Sequence, residues 1–527
     1  MTGTWQLVRL ALRRDRIILP IWIVLLGLTP ASTVAAYEQL YPDAASRMAL
    51  SVGAGANPSI AVIYGPAYDL TTAGGFTAWR YGLFLALFAA LMSIFTVTRH
   101  TRAEEDSGRL ELIGSAVVGR YAALTAAVSV ASAANIVIGV AAAAGLAAAG
   151  LPVAGSFLLG LGVAGAGLVF TAISAVTAQL TEYARSANGI ACAVLGGAFL
   201  IRAVGDSTAS LSWVSWLSPL AWPQRAKPFV DNNWLPLGLA VLAAGLVLTV
   251  AYQLVPRRDL GAGLFPARLG PAIAGKSLSS PLGLAWRLQR GALIGWTIGA
   301  VIVAAVFGSI ANGISDLVGS SEQVRQIMER MGGAQSIVDS FIAAIAQMFG
   351  IVTAMYAVQA ALRARSEETA VRAEPLLATS TSRAAWVGSH LAFAVLGSAV
   401  VLGFAGLAMG LAHGLRIGDL SQVGGIFAGS VAQLPAVWVA GGVAALLFGL
   451  LPQLTTIAWG AVSVFALITL FGPAVQLSQP VLDISPFTHV PKVPGSEFTA
   501  TPLLWLAGIA IVLFGAGVTA FRRRDVG

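Results

Sequence analysis

Charge is what this sequence has least of. Only 10% of its 527 residues are Asp, Glu, Lys or Arg, against roughly 25% in a soluble domain. So few charges cannot cover a water-facing surface, which excludes a large soluble globule. Cysteine occurs once, as Cys192 inside an apolar run. No internal disulfide is possible, redox compartment cannot be read, and a small buried hydrophobe is the expected role. The histidines His100, His390, His413 and His489 show no metal-ligand spacing, so no metal site and no catalytic constellation is expected. Lysine is nearly absent: apart from Lys227, Lys276 and Lys492, the cations are arginine, 28 of 31.

What fills the chain is apolar: 57% of residues are hydrophobic and the mean hydropathy is +0.81. A membrane span needs about 20 predominantly apolar residues. Such runs fall near 17–37, 79–98, 121–147, 156–179, 187–204 and 234–255, then near 291–312, 339–362, 384–412, 427–450, 457–476 and 501–521. Their Ala/Gly richness suits close helix–helix approach in lipid, and Pro435 is expected to kink the tenth. Arg9, Arg13, Arg14 and Arg16 before an apolar stretch, with Val34-Ala35-Ala36 beyond, mimic a signal peptide. The same opening recurs in mid-chain, so the stretch is read as an uncleaved first span.

The net charge of +8 sits in short loops between apolar runs, which points to membrane orientation and away from nucleic acid. With the N-terminus inside, the cytoplasmic segments hold 22 of the 31 cations, while the acids divide 11 inside and 12 outside. Both termini are therefore expected in the cytoplasm of a bacterial cell, below its plasma membrane.

Four landmarks recur at nearly one offset. Arg13, Arg16 and Trp22 match Arg287, Arg290 and Trp296, offset 274. RAEEDSGRLELIGSAVVGR (102–120) matches RSEETAVRAEPLLATSTSR (365–383), offset 263 without a gap. Leu217-Ser218-Pro219-Leu220 matches Ile484-Ser485-Pro486-Phe487, offset 267, and Arg257-Arg258-Asp259-Leu260-Gly261 matches Arg523-Arg524-Asp525-Val526-Gly527, offset 266. The fold class expected is an all-α polytopic membrane protein of about twelve helices in two parallel six-span repeats. Parallel repeats imply a pathway between the halves.

Three kinds of segment stand out. The loop after the second span and its copy carry the densest charge: Glu104, Glu105, Arg109 and Glu111 in one, Glu367, Glu368, Arg372 and Glu374 in the other. Solvation alone explains one charged loop. The same pattern twice points to a short helix along the membrane surface that docks a cytoplasmic partner. Trp5–Arg16 is amphipathic and reads as an interfacial elbow helix. Outside, LSWVSWLSPLAWPQRAKPFVDNNW (211–234) is too Pro-broken to span and reads as a re-entrant hairpin, with 476–500 as its copy. Trp216, Pro219, Trp222, Pro486 and Phe487 are its gate candidates, an aromatic belt at headgroup level being the plainer alternative. GPAIAGKS (270–277) matches the phosphate-loop pattern letter for letter, yet it lies in a connector with no strand before it, so Gly270–Ser277 is read as spurious and binds no nucleotide.

Arg-Arg-Asp-Arg (13–16), the Glu-Glu…Gly-Arg-Leu-Glu loop (104–111), Leu-Ser-Pro-Leu-Ala-Trp (217–222) and Arg-Arg-Asp-Leu-Gly (257–261) together resemble the type-2 ABC exporter permeases. More narrowly, the whole chain resembles the fused twelve-span antibiotic exporters of actinobacteria, the tetronasin-resistance type. The resemblance implies halves at 1–260 and 284–527 joined by a cytoplasmic linker at 261–283. It implies an elbow helix at 4–16, coupling helices at 102–120 and 365–383 in grooves of two ATPase copies, and external segments at 209–232 and 476–500. ATP and Mg would belong to those partner chains, not to this one. The cargo would be an amphiphilic or lipophilic small molecule drawn through the lipid bilayer. Val371 in place of Gly108 and Pro375 in place of Leu112 depart from the pattern and leave the two docking sites unequal. The rival readings are a proton-coupled secondary carrier of the major facilitator kind and a non-transporting membrane scaffold.

Overall fold

The computed structural model describes residues 2–55, 58–109, 117–207, 209–259, 261–265, 270, 272–311, 334–472, 477–496 and 498–525. The chain divides into two compact units, Met1–Leu269 and Gly270–Gly527. Among the described residues eleven helices are long and apolar enough to cross a membrane. Six lie in the first unit: Ile18–Leu40, Ala73–Asp106, Ala122–Ala148, Val153–Leu180, Ala184–Ser207 and Leu235–Arg257. The second unit holds Pro281–Ile310, Val338–Thr369, Arg383–Ile417, Val423–Leu450 and Ala500–Arg523. Between the last two lies the shorter apolar helix Ile457–Phe471. Its 15 residues rise only about 22 Å, less than the roughly 30 Å of a hydrocarbon core. Counting it as the eleventh gives twelve spans in chain order.

Local chemistry sets the ends. Thr72, Ser280 and Ser382 cap their helices by accepting from the backbone N–H groups of Gly75, Gly283 and Ala385. The fifth span is capped from outside itself, Asp106 Oδ2 accepting from Ala184 N at 2.7 Å. Pro435 does not bend a continuous helix. It sits in the first turn of Leu434–Leu450 after a break at Ala432-Gln433, where its missing N–H costs nothing. The ninth span widens into a π-helical turn at Phe393–Gly397.

The two units pack their spans in the same order. First packs with third, second with fourth and fourth with sixth; seventh packs with ninth, eighth with tenth and tenth with twelfth. Glycine makes these approaches possible. A Cβ on Gly160 would lie 2.1 Å from the Gly139 carbonyl oxygen, and one on Gly449 2.2 Å from that of Gly517. In lipid the helices gain nothing from hydrophobic segregation, so such backbone contact and a few polar ties hold them. One tie is buried Asn135 on the third span, whose Nδ2 donates to Ser93 Oγ at 2.8 Å and to Thr171 Oγ1 at 3.4 Å.

Gly160→Ala should therefore lower the melting temperature of the purified protein, by a cost of about 1–3 kcal/mol for overpacking. Gly189→Ala, whose new Cβ meets nothing within 4 Å, should not. Equal melting of the two variants would refute the close-packing account.

Candidate functional site

The charged loops take a form the sequence did not show. In the first unit the helix of the second span breaks at Thr101 and runs on as Arg102–Asp106. Glu104 and Glu105 thus sit on its last turn, and the chain then reverses at Gly108 with φ +71°. The second unit repeats this with Arg363–Thr369, a reversal at Val371 with φ 56°, and a further short helix Ala373–Leu377. The coupling helix expected over 365–383 is thus two short helices around a left-handed turn. That expected over 102–120 is broken at the same place, and Glu111 lies outside the described residues.

The acids face inward. Glu105, 4% exposed, accepts from Arg102 Nη1 at 2.6 Å and from Arg258 Nη1 and Nη2 at 2.8 and 2.7 Å. Glu368, 7% exposed, accepts from Arg365 Nη1 at 3.1 Å and from Arg524 Nη2 at 2.8 Å. Arg258 and Arg524 belong to the matched Arg-Arg-Asp segments that end the sixth and twelfth spans. Arg120 and Arg383, again matched, donate to the backbone oxygens of Arg258 and Arg524 at 2.8 and 2.6 Å. Each unit therefore carries the same frame: loop carboxylate, loop arginine, span-end arginine and a second loop arginine behind it.

The neighbouring acids are also paired. Glu104 accepts from Arg14 of the helix Thr4–Arg14 and lies 3.8 Å from Arg109. Glu367 accepts from Arg363 at 2.5 Å and Arg372 at 2.8 Å. Four residues expected to meet a partner, Glu104, Glu105, Glu367 and Glu368, are thus turned into the chain's own ion pairs. What the loops present outward is Asp106, Ser107 and Arg109 in one unit and Val371, Arg372 and Glu374 in the other. Arg109 and Arg372 are 57% and 61% exposed.

The segments expected outside are packed down. Ser218 Oγ donates to the Ala198 carbonyl at 2.7 Å and Ser485 Oγ to that of Phe465 at 3.2 Å, matched residues on the fifth and eleventh spans. Trp222 is buried, its Nε1 donating to the Trp216 carbonyl at 2.8 Å. Pro486 and Phe487 are buried, and Gln347 of the eighth span donates to the Phe487 carbonyl at 2.9 Å. Trp216 and Pro219 are half-buried. Of the tryptophans within 211–234, Trp213 and Trp234 are exposed. Upstream, burial works to raise the Asp69 carboxyl, but hydrogen bonds from Thr71 and Thr72 outweigh it and hold the group below the usual carboxylate range.

Sequence reasoning missed two buried acids. Asp206, 1% exposed, joins Arg202 at 3.2 Å and Arg225 at 3.0 Å, fastening the end of the fifth span to the outer segment. Its i,i+4 spacing from Arg202 was the available signal. Asp15, behind the elbow helix, meets His100 at 2.6 Å and Arg99 at 3.1 Å, and no local spacing announces that. At the phosphate-loop look-alike, Lys276–Leu278 is a single 3-10 turn. Among the described residues no group of three or more His, Cys, Asp or Glu could hold a metal ion.

Comparison with known proteins agrees with this architecture. A family model described as the C-terminal domain of the multidrug efflux system permease Rv1217c matches residues 8–253 and 278–522. The multidrug efflux system permease protein Rv1217c of Mycobacterium tuberculosis is 45% identical over 527 residues, covering 100% of this chain and 95% of that protein.

Removing a buried carboxylate from its guanidinium partners costs about 3–5 kcal/mol. Glu105→Ala should accordingly destabilise the protein far more than Arg109→Ala, measured by thermal melting in detergent. A left-handed conformation costs a residue with a Cβ roughly 1–2 kcal/mol. Val371→Gly should raise stability by about 1 kcal/mol, and Gly108→Val, with nothing within 4 Å of the new Cβ, should lower it by about as much. The same sign for both variants would show that the two reversals are not alike.

Proposed function

The chain belongs to the multidrug efflux system permease family, and from that premise we propose that it is the membrane-spanning subunit of an ATP-driven ABC exporter. It is a multi-pass membrane permease of an efflux system. In our reading it sits in the bacterial cytoplasmic membrane with both termini inside and works with two copies of a separately encoded ATPase, which hold ATP and Mg. The observation that carries this reading is the frame around Glu105 and its copy around Glu368. Two loops built alike call for two like partners. Each is braced against the end of a span, so a push on the loop reaches that span directly. Alternating access then follows from the different affinities of the two states for cargo and nucleotide. The apolar, tryptophan-bearing surface favours an amphiphilic or lipophilic drug, antibiotic or lipid as that cargo.

A proton-coupled carrier needs a buried carboxylate free to take up and release a proton. Among the described residues the buried carboxylates Asp15, Glu104, Glu105, Asp206, Glu367 and Glu368 each pair with an arginine. That favours an energy source outside the chain.

The docking surface in this proposal is the outward side of each loop, not the four acids turned inward. Arg109→Ala combined with Glu374→Arg should strip the ATPase from the affinity-purified complex while the permease stays monodisperse. Full retention of the ATPase would overturn the assignment. Stimulation of ATPase activity by small polar solutes alone would overturn the cargo class.

A further inference from the structure

A cavity of about 810 Å³ opens in the second unit where the start of the seventh span meets the π-helical turn of the ninth. That volume falls within the roughly 300–1,000 Å³ typical of ligand pockets. Its walls are chemically divided. Trp286, Leu293, Phe393 and Leu396 form an apolar side, while Arg287 and Arg290 stand on the same helix. Trp286 and Phe393 lie with ring centroids 6.1 Å apart, and Leu396 is 66% exposed. Arg287 and Arg290 are exposed, and among the described residues no carboxylate pairs with either. Around Glu104, Glu105, Asp206, Glu367 and Glu368 the arginines have found their acids within the chain. Here two guanidiniums three residues apart stand beside an apolar wall.

We infer that this cavity binds a phospholipid with an anionic headgroup, drawn from the leaflet that meets the start of the seventh span. Charge complementarity argues for the headgroup, because two guanidiniums three residues apart can share the oxygens of one phosphate or of two. The apolar wall argues for an acyl chain and against a free inorganic anion, which would gain nothing from Trp286 and Leu396. Basic pockets between spans are a recurring form of anionic-lipid site. The wider π turn sets Phe393 and Leu396 apart from the regular helical stripe and keeps the wall open. The inference requires only that the chain spans a membrane. It stands or falls independently of the ATPase proposal.

The test uses the full chain in phosphatidylcholine nanodiscs containing cardiolipin, with lipids retained through detergent delipidation counted by native mass spectrometry. Wild type should retain cardiolipin in preference to phosphatidylcholine. Arg287→Ala with Arg290→Ala should lower that retention by about thirtyfold, the effect of two guanidiniums at about 1 kcal/mol each. Leu396→Trp, which fills the cavity and leaves both arginines, should lower it as well. Arg13→Ala with Arg16→Ala removes the same charge from the matched place in the first unit and should leave retention unchanged. Equal retention in the Arg287/Arg290 variant, or equal retention of phosphatidylcholine, would overturn the site. Displacement of cardiolipin by an efflux substrate, with protection of the cavity by that substrate and not by lipid, would assign the cavity to cargo and overturn it too. All four proteins should share one melting temperature, so that lost retention reports the site and not the fold.

Discussion

A carboxylate taken out of water must meet a cation, and the architecture of the charged loops follows from where those cations come from. Glu105 and Glu368 draw one guanidinium from their own loop and another from the far end of the six-span unit, 153 and 156 residues along the chain. The pairs are worth little as net stability, because desolvation offsets most of the attraction. What they enforce is geometry. The loop after the second span cannot move without the end of the sixth, nor the loop after the eighth without the end of the twelfth. Arg120 and Arg383 close the arrangement by holding the backbone of those span ends.

Within the membrane the demands are different. Lipid tails are as apolar as leucine, so spans associate through fit, and fit here means glycine against backbone at Gly139–Gly160 and Gly449–Gly517. The fourth span packs against the second, third and sixth and is the most enclosed of the candidate spans, at 72% buried. The sixth, seventh and twelfth are mostly open to the surroundings.

The spans could be read from the sequence because apolar length is a local property. The eleventh was overextended because the apolar run continues past Phe471, where the helix stops. The recurrence of the charged loops can be read in the sequence, and the inward pairing of their acids cannot. Spacing in the sequence shows that Glu104 and Glu105 recur as Glu367 and Glu368. It does not show exposure, because that depends on Arg14, Arg258 and Arg524, which arrive from other elements. The cavity beside Arg287 was invisible for the same reason. Its arginines, with Trp286 and Leu293, lie together in the sequence, but Phe393 and Leu396 come from a span about a hundred residues later.

Val371 gives the two loops unequal compliance. Gly108 takes its reversal at no steric penalty, so the first loop rests at the bottom of its well. A branched side chain held at φ 56° starts uphill. Any rearrangement that carries that residue to negative φ releases what its counterpart never stored. One stroke applied equally to both loops would therefore bend the second sooner, and an apparently symmetric machine would move one side first.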